Sequence, residues 1–500
     1  YSMNLKAITN NNKYLGLALG ILFLLINLLF TPQGIDIIAW HTLGVALLMA
    51  TWWLTEAMPL PATAMIPIIF FPLLGINNIK DTALNYAHPI IFLFMGGFIL
   101  GLAMQHTELH KRLAYFIISR FRAGPKALIF GFMIATAFLS MWISNTATTI
   151  MMLPIAISII TVVYEDNKEK SGENNFAISL VLSIAFAATI GGISTLIGTP
   201  PNAVMAGMLS NMYNYQISFL DWLMIGLPTT FILLPIAWFV LTTICFPTNK
   251  IKKIDSELIL KKQKELGKIS PDEIMVCIVF LMTATLWISR KWISSLLENT
   301  FPVGSINDSN IAIGAAIVLF MLPSFRSDRN RLISWKVATN IPWGVLILIG
   351  GGLTLGSAIN SSGLAGLIGS ISYNLTNTSI IVVTIVSIIS IIILTELTSN
   401  TATVSTFIPI LGATALGLGE NPLMLIVPAT LAASCAFMMP VATPPNAIAY
   451  ASGYLKMKHM IRAGIWLNLI SFIIILFIIS IILGPVFEVK IGELPDWINN

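Results

Sequence analysis

The pentapeptide Ser144-Asn145-Thr146-Ala147-Thr148 recurs unchanged as Ser399-Asn400-Thr401-Ala402-Thr403, 255 residues later. Each copy interrupts a pair of apolar runs, 126–143 with 147–163 and 379–397 with 402–418. Each run is short for a hydrocarbon core of about 30 Å, which a helix needs roughly 20 residues to cross. A helix that enters, turns at a polar tip and leaves on the side it came from accommodates both runs. The pentapeptides therefore predict two re-entrant helical hairpins, 126–163 and 379–418.

The surrounding chain is that of a membrane protein. Its 500 residues are 56% hydrophobic and 10% charged, whereas a soluble domain carries about 25% charged residues. Further apolar segments at 14–30, 38–57, 59–75, 85–105, 175–209, 220–246, 273–293, 310–323, 342–362, 422–452 and 461–485 predict crossings. The expected fold is an all-α polytopic membrane protein with eleven transmembrane helices and two re-entrant hairpins. The first apolar run ends at Thr31-Pro32 without a small-residue cleavage pattern and reads as a retained helix. Cys245, Cys277 and Cys435 show no metal or redox spacing and read as packing thiols.

The basic residues test this topology. With the N-terminus in the cytoplasm and both hairpins returning to their own side, 23 of the 27 Lys and Arg residues fall in the cytoplasm. Only Lys80, Arg290, Lys291 and Lys490 fall outside. Counting each hairpin as one crossing swaps the later loops and weakens the bias. The re-entrant arrangement satisfies the positive-inside rule, and the net charge of +5 reports orientation rather than a nucleic-acid partner.

The shift of 255 extends beyond the pentapeptides. It carries Gly96, Gly97 and Gly101 onto Gly351, Gly352 and Gly356, Ser140 onto Thr395, and Pro154 onto Pro409. A second pair, Gly198-Thr199-Pro200-Pro201-Asn202-Ala203 and Ala442-Thr443-Pro444-Pro445-Asn446-Ala447, recurs at a shift of 244. The first half carries a longer polar loop, which accounts for the difference. The organisation expected is an N-terminal helix (1–37), a first repeat (38–246), a basic cytoplasmic link (247–272), a second repeat (273–485) and an extracytoplasmic tail (486–500). Five crossings per repeat invert the second relative to the first. Inverted repeats with helices interrupted at matching positions mark secondary transporters.

Both motifs suit ligands. Thr-Pro-Pro-Asn breaks a helix, because each proline lacks an N–H and restricts the residue before it. Broken backbone at membrane depth survives where it is buried in protein or lines a wet cavity. It presents carbonyl oxygens, which suit a small hard cation, and helix N-termini, which suit an anion. Ser, Asn and Thr at the hairpin tips add neutral oxygens and N–H or O–H donors. Ser140 and Thr395 lie one helical turn before Ser144 and Ser399, on the same face. No Lys or Arg lies in either motif, so a dianion would rely on helix ends and co-bound cations. A single polar tripeptide in a membrane more often bridges helices; two symmetric copies, each followed by its own TPPNA, favour ligand sites. The paired glycines read as close helix packing, and Glu396, whose counterpart is Met141, reads as a structural acid.

These motifs resemble those of the divalent anion:sodium symporter family, over nearly the whole chain. The resemblance implies an elevator-type transporter of the bacterial cytoplasmic membrane, usually a homodimer, whose transport domain slides against a scaffold. It implies one sodium site from Ser140, Ser144, Asn145 and Gly198, and another from Thr395, Ser399, Asn400 and Ala442. The dicarboxylate would be held by Asn145, Thr146, Thr199, Asn400, Thr401 and Thr443. Two or more Na⁺ ions and no organic cofactor are implied. The scaffold would comprise the first four helices and 273–362; the moving part would comprise both hairpins, 175–246 and 422–485. The activity expected is import of C4 dicarboxylates (succinate, malate, fumarate) coupled to sodium. The alternatives are a sodium-independent exchanger of 2-oxoglutarate and succinate, or a carrier of another divalent anion such as citrate or sulfate. No nucleophile–base pair or metal cluster points to an enzyme.

Overall fold

A computed structural model of the chain describes residues 2–121, 124–167, 175–248, 257–297, 300, 302, 305–327, 329–373 and 379–498. Arg122, Lys168, Lys170, Lys250, Lys252 and Lys253, counted above toward orientation, lie outside these residues, as do much of the basic link, residue 1 and the tail's final residues 499–500.

Among the described residues the chain is helical, with a single isolated bridge, Pro323–Arg331, as its strand pairing. Helix α1 (Ser2–Leu29) leads into a first series. It runs α2 (Ile37–Thr55), α3 (Ile66–Leu73), α4 (Pro89–His106), α5 (Pro125–Ser140), α6 (Asn145–Asn167), α7 (Asn175–Ile193), α8 (Pro200–Tyr213) and α9 (Phe219–Phe239). A second series repeats the order: α10 (Pro271–Leu296), α11 (Asp308–Met321), α12 (Trp343–Ser361), α13 (Ile380–Thr395), α14 (Asn400–Gly417), α15 (Leu423–Ala433), α16 (Pro444–Ala451) and α17 (Met457–Ile478). Short helices Leu109–Ile118 and Leu364–Tyr373 lead into α5 and α13.

Local chemistry sets these boundaries. Asp36 caps α2 by accepting from the Ile38 and Ala39 N–H groups. Ser218 with Asp221, and Ser270 with Glu273, form capping boxes that satisfy the first N–H groups of α9 and α10. The Thr-Pro-Pro motifs end one helix and start the next: the prolines occupy the first turn of α8 and α16, where a missing N–H costs nothing. The segments 175–209 and 422–452 are thus each two helices around a break.

Seven described helices are long and apolar enough to cross a bilayer. The arms α5 and α13 have 16 residues each, about 24 Å of helix. Every residue from Phe176 to Ile193 of α7 is buried, making it the centre of the main core. Close helix contact explains the paired glycines: a methyl at Gly96 of α4 would lie 2.5 Å from the Ala312 backbone of α11.

The two series interlock. The second arm of the first hairpin, α6, packs against α16, the helix after the second break. Reciprocally, α14 packs against α8, the helix after the first break. Each hairpin tip is thereby brought to the other series' Thr-Pro-Pro.

Candidate functional site

At the interlock lies a partly open cavity of about 540 Å³. Its lining includes Ser144, Asn145 and Thr146 from one tip, Ser399, Asn400 and Thr401 from the other, and Thr199, Ala442 and Thr443 from the breaks. All six residues expected to hold a substrate are brought together. Leu60, Pro61, Pro342 and Gly344 form the opposing wall. Among the described residues, no charged side chain lines this cavity.

Four helices begin at it: α6, α8, α14 and α16. Each N-terminus carries roughly half a positive charge from its aligned peptide dipoles. Thr199 and Thr443 are the N-caps of α8 and α16, in extended conformation at φ −144° and −139°. A site with no cationic side chain thus has a positive electrostatic lining made by backbone.

Behind each tip lies a cluster of oxygens. Ser140 Oγ is 2.7 Å from Asn145 Oδ1 and 2.7 Å from the Ala188 carbonyl oxygen. Thr395 Oγ1 repeats this, 2.7 Å from Asn400 Oδ1 and 2.7 Å from the Ala433 carbonyl. A hydroxyl owns one proton, so with an amide oxygen facing it one of the two oxygen–oxygen contacts in each cluster has none. In the first cluster the inward atom of the Asn145 amide is also 3.1 Å from both the Gly198 and Ala188 carbonyl oxygens. With the amide oxygen inward, four oxygens crowd together around too few protons, which is the donor set of a hard cation. With the amide turned over, its N–H₂ donates to the same three oxygens. The chemistry of the set fits Na⁺, and Ser140, Asn145 and the Gly198 carbonyl come together in it. Ser144 Oγ instead accepts from Ala147 N–H at 3.4 Å, capping α6. Ser399, the N-cap of α14, makes no side-chain cap bond.

The breaks are held open by residues that the sequence reading did not single out. Asn202 is fully buried and its Nδ2 donates to the carbonyls of Gly192, Ile193 and Thr195, the last at 2.8 Å. Asn446 does the same for Ala436 and Met439, both at 3.1 Å. The Asn of each TPPNA therefore clamps the carbonyls freed by its own break. The backbone amide side of the breaks is solved differently in the two halves. In the first, Thr195 Oγ1 donates to the Met141 carbonyl and accepts from Gly198 N–H. In the second, the buried Glu396 carboxylate accepts from the N–H groups of Phe437, Met438 and Met439 at 2.8–3.0 Å, and from Asn468 Nδ2 at 2.6 Å. The acid next to Thr395 is thus fully engaged in holding backbone.

Residues 10–487 match the family described as sodium:sulfate symporter transmembrane region. SdcS of Staphylococcus aureus strain USA300, a sodium-dependent dicarboxylate transporter, is 42% identical over 486 residues, 96% of this chain and 93% of that protein. The SdcS of strain MRSA252 is 42% identical over 491 residues, 97% and 94% of the two chains. Among solved structures, the Alcanivorax borkumensis YdaH transporter aligns with a TM-score of 0.54 at 13% identity, over 89% of this chain and 98% of its own. Neisseria gonorrhoeae MtrF, from a class of antimetabolite efflux pumps, aligns at 0.58 with 12% identity, over 96% of each chain. At such identities the two structures speak to the fold alone.

Proposed function

This chain belongs to the sodium:sulfate symporter family, a family of transporters and not of enzymes, and on that footing we propose that it imports C4 dicarboxylates together with sodium ions. The observation that carries the reading is the convergence of both SNT tips and both Thr-Pro-Pro breaks on one cavity whose positive lining is backbone. A doubly charged anion fits that lining, and the two oxygen clusters directly behind it fit Na⁺ when the Asn amide oxygen faces inward. The sodium dependence and dicarboxylate substrate of SdcS support the same assignment.

One amide serves both ligands in each half. When a cation holds Oδ1 of Asn145 or Asn400, the Nδ2 of that amide turns toward the cavity and donates to a carboxylate. Thr146 and Thr199 add donors from one half, Thr401 and Thr443 from the other. Sodium thus orders the donors that the anion needs, and the anion's charge favours the nearby cations. Coupling follows from this shared residue. The first cation set is Ser140, Ser144, Asn145 and the Gly198 carbonyl; the second is Thr395, Ser399, Asn400 and the Ala442 carbonyl.

The protein sits in the bacterial cytoplasmic membrane with its N-terminus in the cytoplasm and its tail outside. The seven long apolar helices, the shorter Lys13–Leu29, Leu60–Leu73 and Asp308–Met321, and the broken pair α15–α16 give eleven crossings. Helices α5–α6 and α13–α14 are then re-entrant, and the two repeats, 38–246 and 273–485, are inverted. Both hairpins, 175–246 and 422–485 move as an elevator against the first four helices and 273–362, in a homodimer.

The test is uptake of labelled succinate into proteoliposomes, with an inward sodium gradient or with choline in its place. Sodium-dependent uptake that citrate, sulfate and 2-oxoglutarate fail to inhibit supports the proposal. Undiminished uptake in choline, accelerated by internal 2-oxoglutarate, would show a sodium-independent exchanger instead.

A further inference from the structure

The junction of α8 and α9, residues 211–221 from the last turn of α8 to the first of α9, is tied to the opposing body at four points. Asn211 Nδ2 donates to Asn85 Oδ1 at 2.8 Å. The Met212 carbonyl accepts from Asn360 Nδ2 at 2.7 Å. The Phe219 N–H donates to Asp308 Oδ2 at 2.8 Å. Lys291 Nζ pairs with Asp221 Oδ1 at 2.6 Å. The partners Asn85, Asp308, Lys291 and Asn360 all come from the body assigned above as the scaffold, whereas 211–221 belongs to the part assigned as moving.

These ties exploit a helix end. Phe219 is the first residue of α9, so its N–H has no partner within the helix and lies at the positive end of the dipole. Asp308 fills that vacancy from across the boundary, and Arg290 holds its other oxygen at 2.9 Å. Asp221, which caps α9 through Ser218 N–H, uses its remaining oxygen for Lys291. An aromatic stack continues inward: Phe219 lies between Trp287, at 4.8 Å, and Trp142 of the first hairpin tip, at 6.0 Å.

The position of the ties matters as much as their chemistry. Asn360 lies at the C-terminal end of α12, whereas the cavity wall uses Pro342 and Gly344 at the opposite end of the same helix. Beside the Asp308 tie lies a separate, partly open pocket of about 170 Å³, lined by the half-buried Ser210 and by Gln216, Arg290 and Asp308 among others. We propose that the four ties around 211–221 form a latch that closes the tail-side route to the cavity, and that their release deepens this pocket into an access path. The proposal rests on the two-body reading given above and adds the device that holds one of its states.

The test uses the full-length chain in proteoliposomes, with Cys277→Ser to remove the half-buried thiol and Ser210→Cys as a reporter in the pocket. The readout is the rate of modification by a membrane-impermeant maleimide added on the tail side. Lys291→Gln, Asn85→Ala and Asn360→Ala each cut one tie from the scaffold side and leave 211–221 unaltered. Each should speed labelling severalfold, and the triple variant about tenfold or more, as two-state populations shift with lost hydrogen bonds. An unchanged rate in a triple variant that melts like its parent overturns the latch. As a second measurement, Asn85→Cys with Asn211→Cys, bridged by a short crosslinker, should block both labelling and uptake until the bridge is cut. Full uptake while bridged also overturns it. Labelling needs no cargo, so a chain that carried a different ion would still report on the latch, and the two readings fail separately.

Discussion

Thr395 Oγ1 and Asn400 Oδ1 lie 2.7 Å apart while the Ala433 carbonyl, also at 2.7 Å, competes for the one hydroxyl proton. In the other half Ser140 Oγ lies 2.7 Å from the inward atom of the Asn145 amide and 2.7 Å from the Ala188 carbonyl. Two oxygens that close without a shared proton repel, and a cation coordinated by both from one side relieves that repulsion. This relationship, more than the presence of SNT, makes the tips look like ion sites.

Removing the hydroxyl should therefore weaken sodium before it weakens the fold. Ser140→Ala and Thr395→Val are each expected to raise the sodium concentration for half-maximal uptake about tenfold, the equivalent of ~1.4 kcal/mol. Thr395→Ser should remain close to the parent. Sodium titrations of succinate uptake decide it, and an unshifted curve for both variants would remove these residues from the sites.

Gly192 tests the same cluster by volume. A methyl there would sit 2.3 Å from Asn145 Oδ1 and 2.9 Å from its Nδ2, closer than side-chain atoms approach. Gly192→Ala should displace the amide and abolish sodium-stimulated uptake. Gly314→Ala, with open space around the added carbon, should transport normally. Equal activity in the two variants would mean that the Asn145 position is unimportant.

Glu396 should matter for stability. Its two oxygens accept from three backbone N–H groups and from Asn468. Glu396→Gln replaces one oxygen with an N–H₂ group that faces donors. The expected loss is ~2–4 kcal/mol, because a buried donor is left facing donors, visible as a lower melting temperature in detergent. A Gln variant that melts like the parent would contradict this role.

The clamps predict an order of severity. Asn202→Ala leaves the carbonyls of Gly192, Ile193 and Thr195 without their donor, at ~1–3 kcal/mol. Asn202→Asp aims a carboxylate at the same three oxygens and should be worse. Comparing melting temperatures of the two variants checks the sign, and the Asn446 pair should follow the same order.

Much of the architecture was legible because it is written as punctuation. Pro200-Pro201 and Pro444-Pro445 fix where helices restart, and a polar pentapeptide repeated inside two apolar runs, each with its own downstream TPPNA, favours turns between helices over helix bridges. The six substrate residues were implied by the family resemblance those motifs carry, and the fold brings all six to one cavity. The carbonyls of Ala188 and Ala433 were not legible, since a backbone oxygen leaves no mark on the residue that carries it. Nor was the clamp role of Asn202, because the sequence spells Asn alike whether it meets a ligand or a helix end. The unequal treatment of the two breaks was half visible: Glu396 against Met141 signalled an asymmetry, and only the fold shows Thr195 standing in for the acid. The ties of Asp308 and Lys291 depend on which helix ends meet, which periodicity does not encode.

The cavity's positive lining has one further consequence. Its charge belongs to peptide groups at four helix starts, and no single substitution can delete a peptide group. Drift among the lining side chains can reshape the pocket, or exchange one donor for another, without reversing the sign of that backbone field. On the proposed function, such a site is free to change its choice of anion while its field continues to favour anions.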